Sequence, residues 1–345
     1  MQNENFLSKL GQPLNRKIPF VYLLICMLIG IAWYLWNSKS KTPIAASPAI
    51  IQDCPDQMDQ IRLTGFRLIN PLVLSDVSGE STQLNPVRFA LNTFIQASIA
   101  EHEAEKVSVY FRWLKDGQRF TVNGAEMYNP ASMLKIAYLI TYLKEALISP
   151  AVLSKPLYFG SHVSTGNTAN IVSFHLPENR SYQVMDLLKY MIKYSDNDAT
   201  LLLAAHMNQA IYKQLFVDLQ LPPPPGPKDE YLIDVSDFCR LFRILYNATY
   251  LGPKYSEFAL ELLTECDYKE GLQAGIDSST QIAHKFGERI AGNVAELHEC
   301  GVIYLNGNPY MLCVMTEGTD LNQLRKILAE VSRIVYKEFK TIAQS

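Results

Sequence analysis

Three short clusters in this chain carry residues that could act on one substrate. Ser132 and Lys135 lie three positions apart in YNPASMLKIAY. On a helix, positions three apart share a face, so the amine can sit beside the hydroxyl. A serine is a poor nucleophile at neutral pH and needs a neighbouring base. A lysine is that base only where burial or nearby charge lowers its pKa. Met133, Leu134, Ile136 and Ala137 supply the apolar setting. The spacing alone is weak evidence, since Ser38 and Lys41 repeat it in a polar stretch. The second cluster is Ser195-Asp196-Asn197, in MIKYSDNDATLLL. By itself it is good helix-capping chemistry. The third is Lys285-Phe286-Gly287, in TQIAHKFGER, where the glycine leaves room for a ligand to approach the backbone. Lys115-Asp116-Gly117 and Lys269-Glu270-Gly271 have the same form, but one is a hairpin turn and the other lies in a helical region.

The elements that must position these groups follow from hydrophobic periodicity. Asn85-Pro86 opens a helical run through about Glu105. Residues 107–113 alternate as a strand, Asp116-Gly117 turns the chain, and 118–123 pair back as a hairpin. A long helix is expected from Pro130 to about Ile148. Helices are expected at 183–194, 198–209, 236–246 and 254–266, strands at 280–288, 296–305 and 309–316, and a closing helix at 320–342. Two strands, a helical block, three strands and a helix describe an α+β domain. Its antiparallel sheet is built from N- and C-terminal strands, with the all-helical block inserted.

The three clusters occur in one order, with 63 residues from Ser132 to Ser195 and 90 from Ser195 to Lys285. S-x-x-K, S-D-N and K-T-G together form the motif set of class A β-lactamases and penicillin-binding proteins. Over residues 60–345 the chain resembles the class A β-lactamase catalytic domain, and SDNDATLLL is similar to that family's helix start after S-D-N. The resemblance implies a β-lactamase/D,D-peptidase-like fold and an acyl-enzyme. Ser132 would be the nucleophile and Lys135 its candidate base. Ser195 would relay a proton to the leaving nitrogen, Asn197 would bind the substrate amide, and Lys285 would add positive charge. Backbone N–H groups of Ser132 and Glu288, beside Gly287, would form the oxyanion hole. The implied partner is a small-molecule β-lactam or a peptidoglycan stem peptide, with no cofactor and no metal. The alternative is a catalytically weak cell-wall or penicillin-binding module.

The chain departs from the family pattern at two places. Phe286 replaces the hydroxyl residue that helps bind the β-lactam carboxylate, with Arg289 as the candidate substitute. The deacylating glutamate of class A enzymes should lie between Leu221 and Asp234, but that segment is short and contains PPPPGP. A proline run imposes extended backbone. Glu230 is the candidate deacylation base there, weighed against an ordinary exposed carboxylate. Without that base the acyl-enzyme should form and turn over slowly.

Residues 18–36 are 19 residues without a charge, ending in Trp33, Tyr34 and Trp36. They are read as a transmembrane signal anchor. Lys9, Arg16 and Lys17 before it, against Lys39 and Lys41 after it, place residues 1–17 in the cytoplasm. Residues 37–59 read as a stalk and 60–345 as the exported catalytic domain. The 31 basic residues against 34 acidic ones give a net charge of −3, without the basic excess of a nucleic-acid binder. Six cysteines and no C-x-x-C pair argue against a disulfide scaffold or a structural zinc site. His284 and His298 are read as ordinary strand histidines.

Overall fold

The computed structural model describes residues 58–344, apart from 67, 69, 78–79, 163–173 and 226–229. The expected anchor and most of the expected stalk lie outside the described residues. No helix among the described residues is long and apolar enough to cross a membrane. The chain divides into two units, Met1–Pro55 and Asp56–Ser345, and all the described residues belong to the second.

The centre is a five-stranded antiparallel sheet. Its strands are β3 (Lys106–Trp113), β4 (Arg119–Val122), β7 (Ile282–Ala291), β8 (Val294–Ile303) and β9 (Tyr310–Gly318), in the order β4-β3-β9-β8-β7. The N-terminal pair is thus joined to the C-terminal three through β3 and β9, as expected. Both faces are covered, so β9 is buried at nearly every position and not only at alternate ones. Val107, Val109 and Phe111 face one layer with Leu312 and Val314. There they pack against α1 (Asn85–Ala100) and α8 (Leu321–Gln344). Tyr110, Met311, Cys313 and Met315 face the other layer and the helical block. That block comprises α2 (Lys135–Ile148), α3 (Val184–Lys193), α4 (Asn197–His206), α5 (Gln209–Asp218), α6 (Val235–Tyr246) and α7 (Gly252–Thr264).

The differences from the sequence reading have local causes. The helix expected from Pro130 begins as a tight 3-10 turn at Ala131–Leu134 and becomes α only at Lys135. Helix α1 stops at Ala100, short of Glu105, because His102 takes φ +58°. A left-handed residue ends a helix, and here it is not the usual glycine. Helix α5 was not expected from the sequence; it starts after α4 where the Asn208 side chain caps it, accepting from Ala210 and Ile211 N–H. Two short hairpins also appear. One joins β1 (Met58–Arg62) to β2 (Leu72–Val77), and the other joins β5 (Pro156–Phe159) to β6 (Arg180–Gln183). The first is held to the domain by Asp76, which pairs with Arg112 of β3 and with Arg243 of α6 at 2.6 Å. Cys239, Cys266, Cys300 and Cys313 are buried and free.

Candidate active site

Ser132 sits in the 3-10 turn, one residue after Ala131, whose φ is +47°. Ser195 itself has φ +55°. Left-handed backbone at non-glycine residues costs of the order of 1–3 kcal/mol each and tends to cluster at functional sites. Asn129 holds the turn from behind. Its side chain accepts from Ala131 N–H at 3.0 Å, its own N–H donates to Glu296, and its carbonyl accepts from His298 Nε2 at 3.0 Å. His298 Nδ1 then accepts from Thr316 N–H, so this ring is neutral with its proton on Nε2. Burial pushes its pKa down to about 4. His298 is therefore a strut across β8 and β9, as its reading as an ordinary strand histidine required. Asn129 and Glu296 escaped the sequence reading. The Asn-Pro pair before the turn was the one local signal for Asn129.

The three clusters meet. Lys135 is buried and donates to the Ser195 carbonyl at 2.5 Å, to Ser195 Oγ at 3.1 Å and to Asn197 Oδ1 at 2.8 Å. Lys285 is fully buried and donates to Ser195 Oγ at 3.0 Å and to the Phe286 carbonyl at 2.9 Å. The Ser195 hydroxyl accepts from both lysines, which uses its two lone pairs and leaves its own O–H to donate elsewhere. Asp196 caps α4, accepting from Ala199 N–H at 2.6 Å. The capping role and the site role of this loop therefore coexist. Burial pushes the Lys135 pKa well down, and the Lys285 charge pushes the same way; Asp196 and Glu288 oppose them in part. Burial brings Lys285 to about 8, against the pull of Cys266, Glu299 and Glu288.

Gly287 has a different task from the one its motif suggested. A Cβ there would stand 2.6 Å from the Pro130 carbonyl oxygen and 2.8 Å from Met133 N. The space opened by the glycine is filled by the Ser132 turn itself. This brings the backbone of Gly287 and Glu288 beside Ser132. Phe286 is buried, stacks on Tyr268 at 4.5 Å between centroids, and lies 4.0 Å from Lys285 Nζ. The missing hydroxyl is thus replaced by a ring that shields Lys285 from solvent. Behind it, His284 Nδ1 meets Glu299, and both are fully buried. Arg289 pairs with Glu230 at 2.7 Å and Glu296 at 2.9 Å, so two carboxylates already occupy the proposed substitute for the hydroxyl. Glu230 is exposed. Its neighbour Ile233 is buried and exchanges two backbone hydrogen bonds with Tyr128, four residues before Ser132. Asp234 caps α6.

The chain belongs to the Beta-lactamase enzyme family, whose model matches residues 90–339. Among solved structures, a point mutant of PBP-A, an acyl-enzyme complex with penicillin G, is similar with a TM-score of 0.62 and 20% identity. That match covers 75% of this chain and 97% of the other. A β-lactamase from Chitinophaga pinensis matches with a TM-score of 0.63 and 16% identity, over 74% of this chain and 100% of the other. A variant of the last common ancestor of Gram-negative class A β-lactamases matches at 0.61 and 18%, over 73% and 99%. No curated protein matches in sequence.

Proposed function

We propose that this chain is a membrane-anchored serine hydrolase that forms an acyl-enzyme on Ser132 and attacks β-lactam or D-Ala-D-Ala-like amide bonds. The observation that carries this reading is the Ser195 hydroxyl held between Lys135 and Lys285, next to the Ser132 turn. Neutral Lys135 takes the Ser132 proton as Oγ bonds to the amide carbonyl carbon. The carbonyl electron pair moves to oxygen, where the N–H groups of Ser132 and Glu288 stabilise it. As the tetrahedral centre collapses, the C–N bond breaks and Ser195 passes a proton to the leaving nitrogen. Lys135 then returns the proton it took to Ser195, while the charge of Lys285 steadies the Ser195 oxygen. Asn197 orients the substrate amide and Lys285 faces its carboxylate. The apolar span at 18–36 and its basic flank support an exported domain.

Deacylation needs a second base to activate water. Glu230 is bound to Arg289, which supports slow release of the acyl group. Loss of a positioned general base costs about 10²–10⁴-fold in its step. Exposure to a labelled penicillin should give a burst of one ring-opened product per chain, followed by slow turnover, with the adduct on Ser132 by mass spectrometry. Unchanged labelling of Ser132→Ala would overturn the nucleophile. Fast steady turnover that Glu230→Gln abolishes would make Glu230 the deacylation base. Failure of any acyl donor to label Ser132 would leave the binding-module reading.

A further inference from the structure

Beside the Ser195–Asn197 loop lies a second cluster that the acyl-transfer reading does not use. His175, Asp196 and Asp198 each bring one ligand atom within 4.8 Å of the others. Asp196 and Asp198 are buried, at 1% and 9% exposure, while His175 is exposed. Two neighbouring buried carboxylates repel each other, so a cation between them is favoured; at present the nearest positive groups are the His162 ring on Asp198 and the Lys135 amine, whose charge reaches Asp196. The carboxylates are held in place before any ion arrives. Asp196 is fixed by Ala199 N–H at 2.6 Å and by Leu176 N–H at 3.2 Å. The second of these bonds also ties down the chain at His175, the residue before Leu176. His162 Nδ1 lies 2.6 Å from Asp198 Oδ2, and its backbone N–H donates to Glu178 at 2.7 Å. Carboxylate ligands are themselves held by hydrogen bonds, and the His162 ring can hold Asp198 in that way.

We propose that His175, Asp196 and Asp198 bind a divalent transition-metal ion of the zinc class, with His162 positioning Asp198. Two carboxylates supply the charge such an ion needs, and the imidazole selects against magnesium and calcium, which prefer all-oxygen sites. The exposed side of the cluster gives the ion a way in. Asp196 lies between Ser195 and Asn197, both bonded to Lys135. The ion would therefore clamp the loop that holds the Lys135 amine, without touching the reacting atoms.

The test is calorimetric titration of the untagged, chelator-stripped full chain with Zn2+ alone, followed by Co2+ absorption. One equivalent should bind, with a nitrogen–oxygen ligand spectrum. His175→Ala and Asp198→Asn should each weaken binding by at least about tenfold. His175→Ala alters an exposed side chain, so its fold is retained, as circular dichroism will check. Absence of saturable binding overturns the proposal, as does wild-type affinity in His175→Ala. A thiolate charge-transfer band that disappears in Cys300→Ser also overturns it, by placing the ion among Cys239, Cys300 and Cys313. The readout is metal binding, so it stands or falls independently of Ser132 acylation.

Discussion

Lys135 and Lys285 share one acceptor, Ser195 Oγ, and that arrangement sets the expected pH dependence of the site. Both are buried, and the Lys285 charge further depresses the Lys135 pKa. As pH rises, Lys135 loses its proton first and becomes able to act as a base. Lys285 keeps its charge until about pH 8. The acylation rate constant for a penicillin should therefore rise as Lys135 deprotonates and fall as pH passes about 8. Lys285→Arg should remove the alkaline fall, because a guanidinium does not titrate there. Persistence of the same alkaline limb in that variant would take Lys285 out of the assignment. Glu288 is a second lever at this scale. Its carboxylate acts on both lysines and opposes the depression of their pKa values. It would also repel the carboxylate of a penicillin. Glu288→Ser should raise penicillin acylation about tenfold, the rate equivalent of about 1.4 kcal/mol between like charges in a partly buried cleft. The alkaline limb should also move to lower pH. An unchanged or lower rate at neutral pH would mean that the Glu288 side chain helps the reaction.

The Ser132 turn and β7 come from opposite ends of the domain, and Gly287 sets how closely they meet. The atoms a Cβ would strike are the Pro130 carbonyl oxygen and Met133 N, both backbone, so no side chain can swing aside. Gly287→Ala should push β7 from the turn and misplace the proposed oxyanion donors. Displacement of catalytic groups by about 1 Å costs roughly 10²-fold in rate. Stopped-flow acylation should show that loss while the protein remains folded by circular dichroism; acylation within twofold of wild type would contradict it. The β1–β2 hairpin has a different attachment. Burial alone would raise the Asp76 pKa, but Arg243 and Arg112 outweigh it and hold the carboxyl below its usual range. Asp76→Ala would strand Arg243, which is 4% exposed. Removing one partner of a buried ion pair costs about 3–5 kcal/mol. Calorimetry should find a melting temperature lower by several degrees; no decrease would show that the hairpin adds nothing to the domain.

At the scale of the molecule, the sheet is sealed by helices on both faces, so its polar groups must be satisfied internally. His298 is the clearest case, bridging Asn129 and Thr316 with no exposure. Its folded pKa of about 4 lies below the 6.5 of a free histidine. Below pH 6.5 the unfolded chain takes up a proton that the folded chain refuses. Stability from this group is therefore complete above pH 6.5 and declines as pH falls from there toward 4, by about 3 kcal/mol in all. Urea unfolding across that range should show the decline, and His298→Gln should flatten it. An equal slope in that variant would assign the acid sensitivity to other groups. Residue type and spacing alone determined the three motifs, their order, the long helices and the five sheet strands. Each of these rests on local periodicity or on side-chain chemistry that survives without neighbours. The short hairpins were illegible because their four- to six-residue strands are joined by long connections, without a tight turn such as the Asp116-Gly117 that marked β4. Other features were decided by tertiary structure. Gly287 meets the Ser132 turn, Phe286 covers Lys285, Asn129 leans on His298, and the Glu288 charge reaches both lysines. Each joins residues far apart in sequence or depends on which way a strand residue points. The lysine pKa values belong to this second group, because desolvation exists only once the helical block has closed over the sheet.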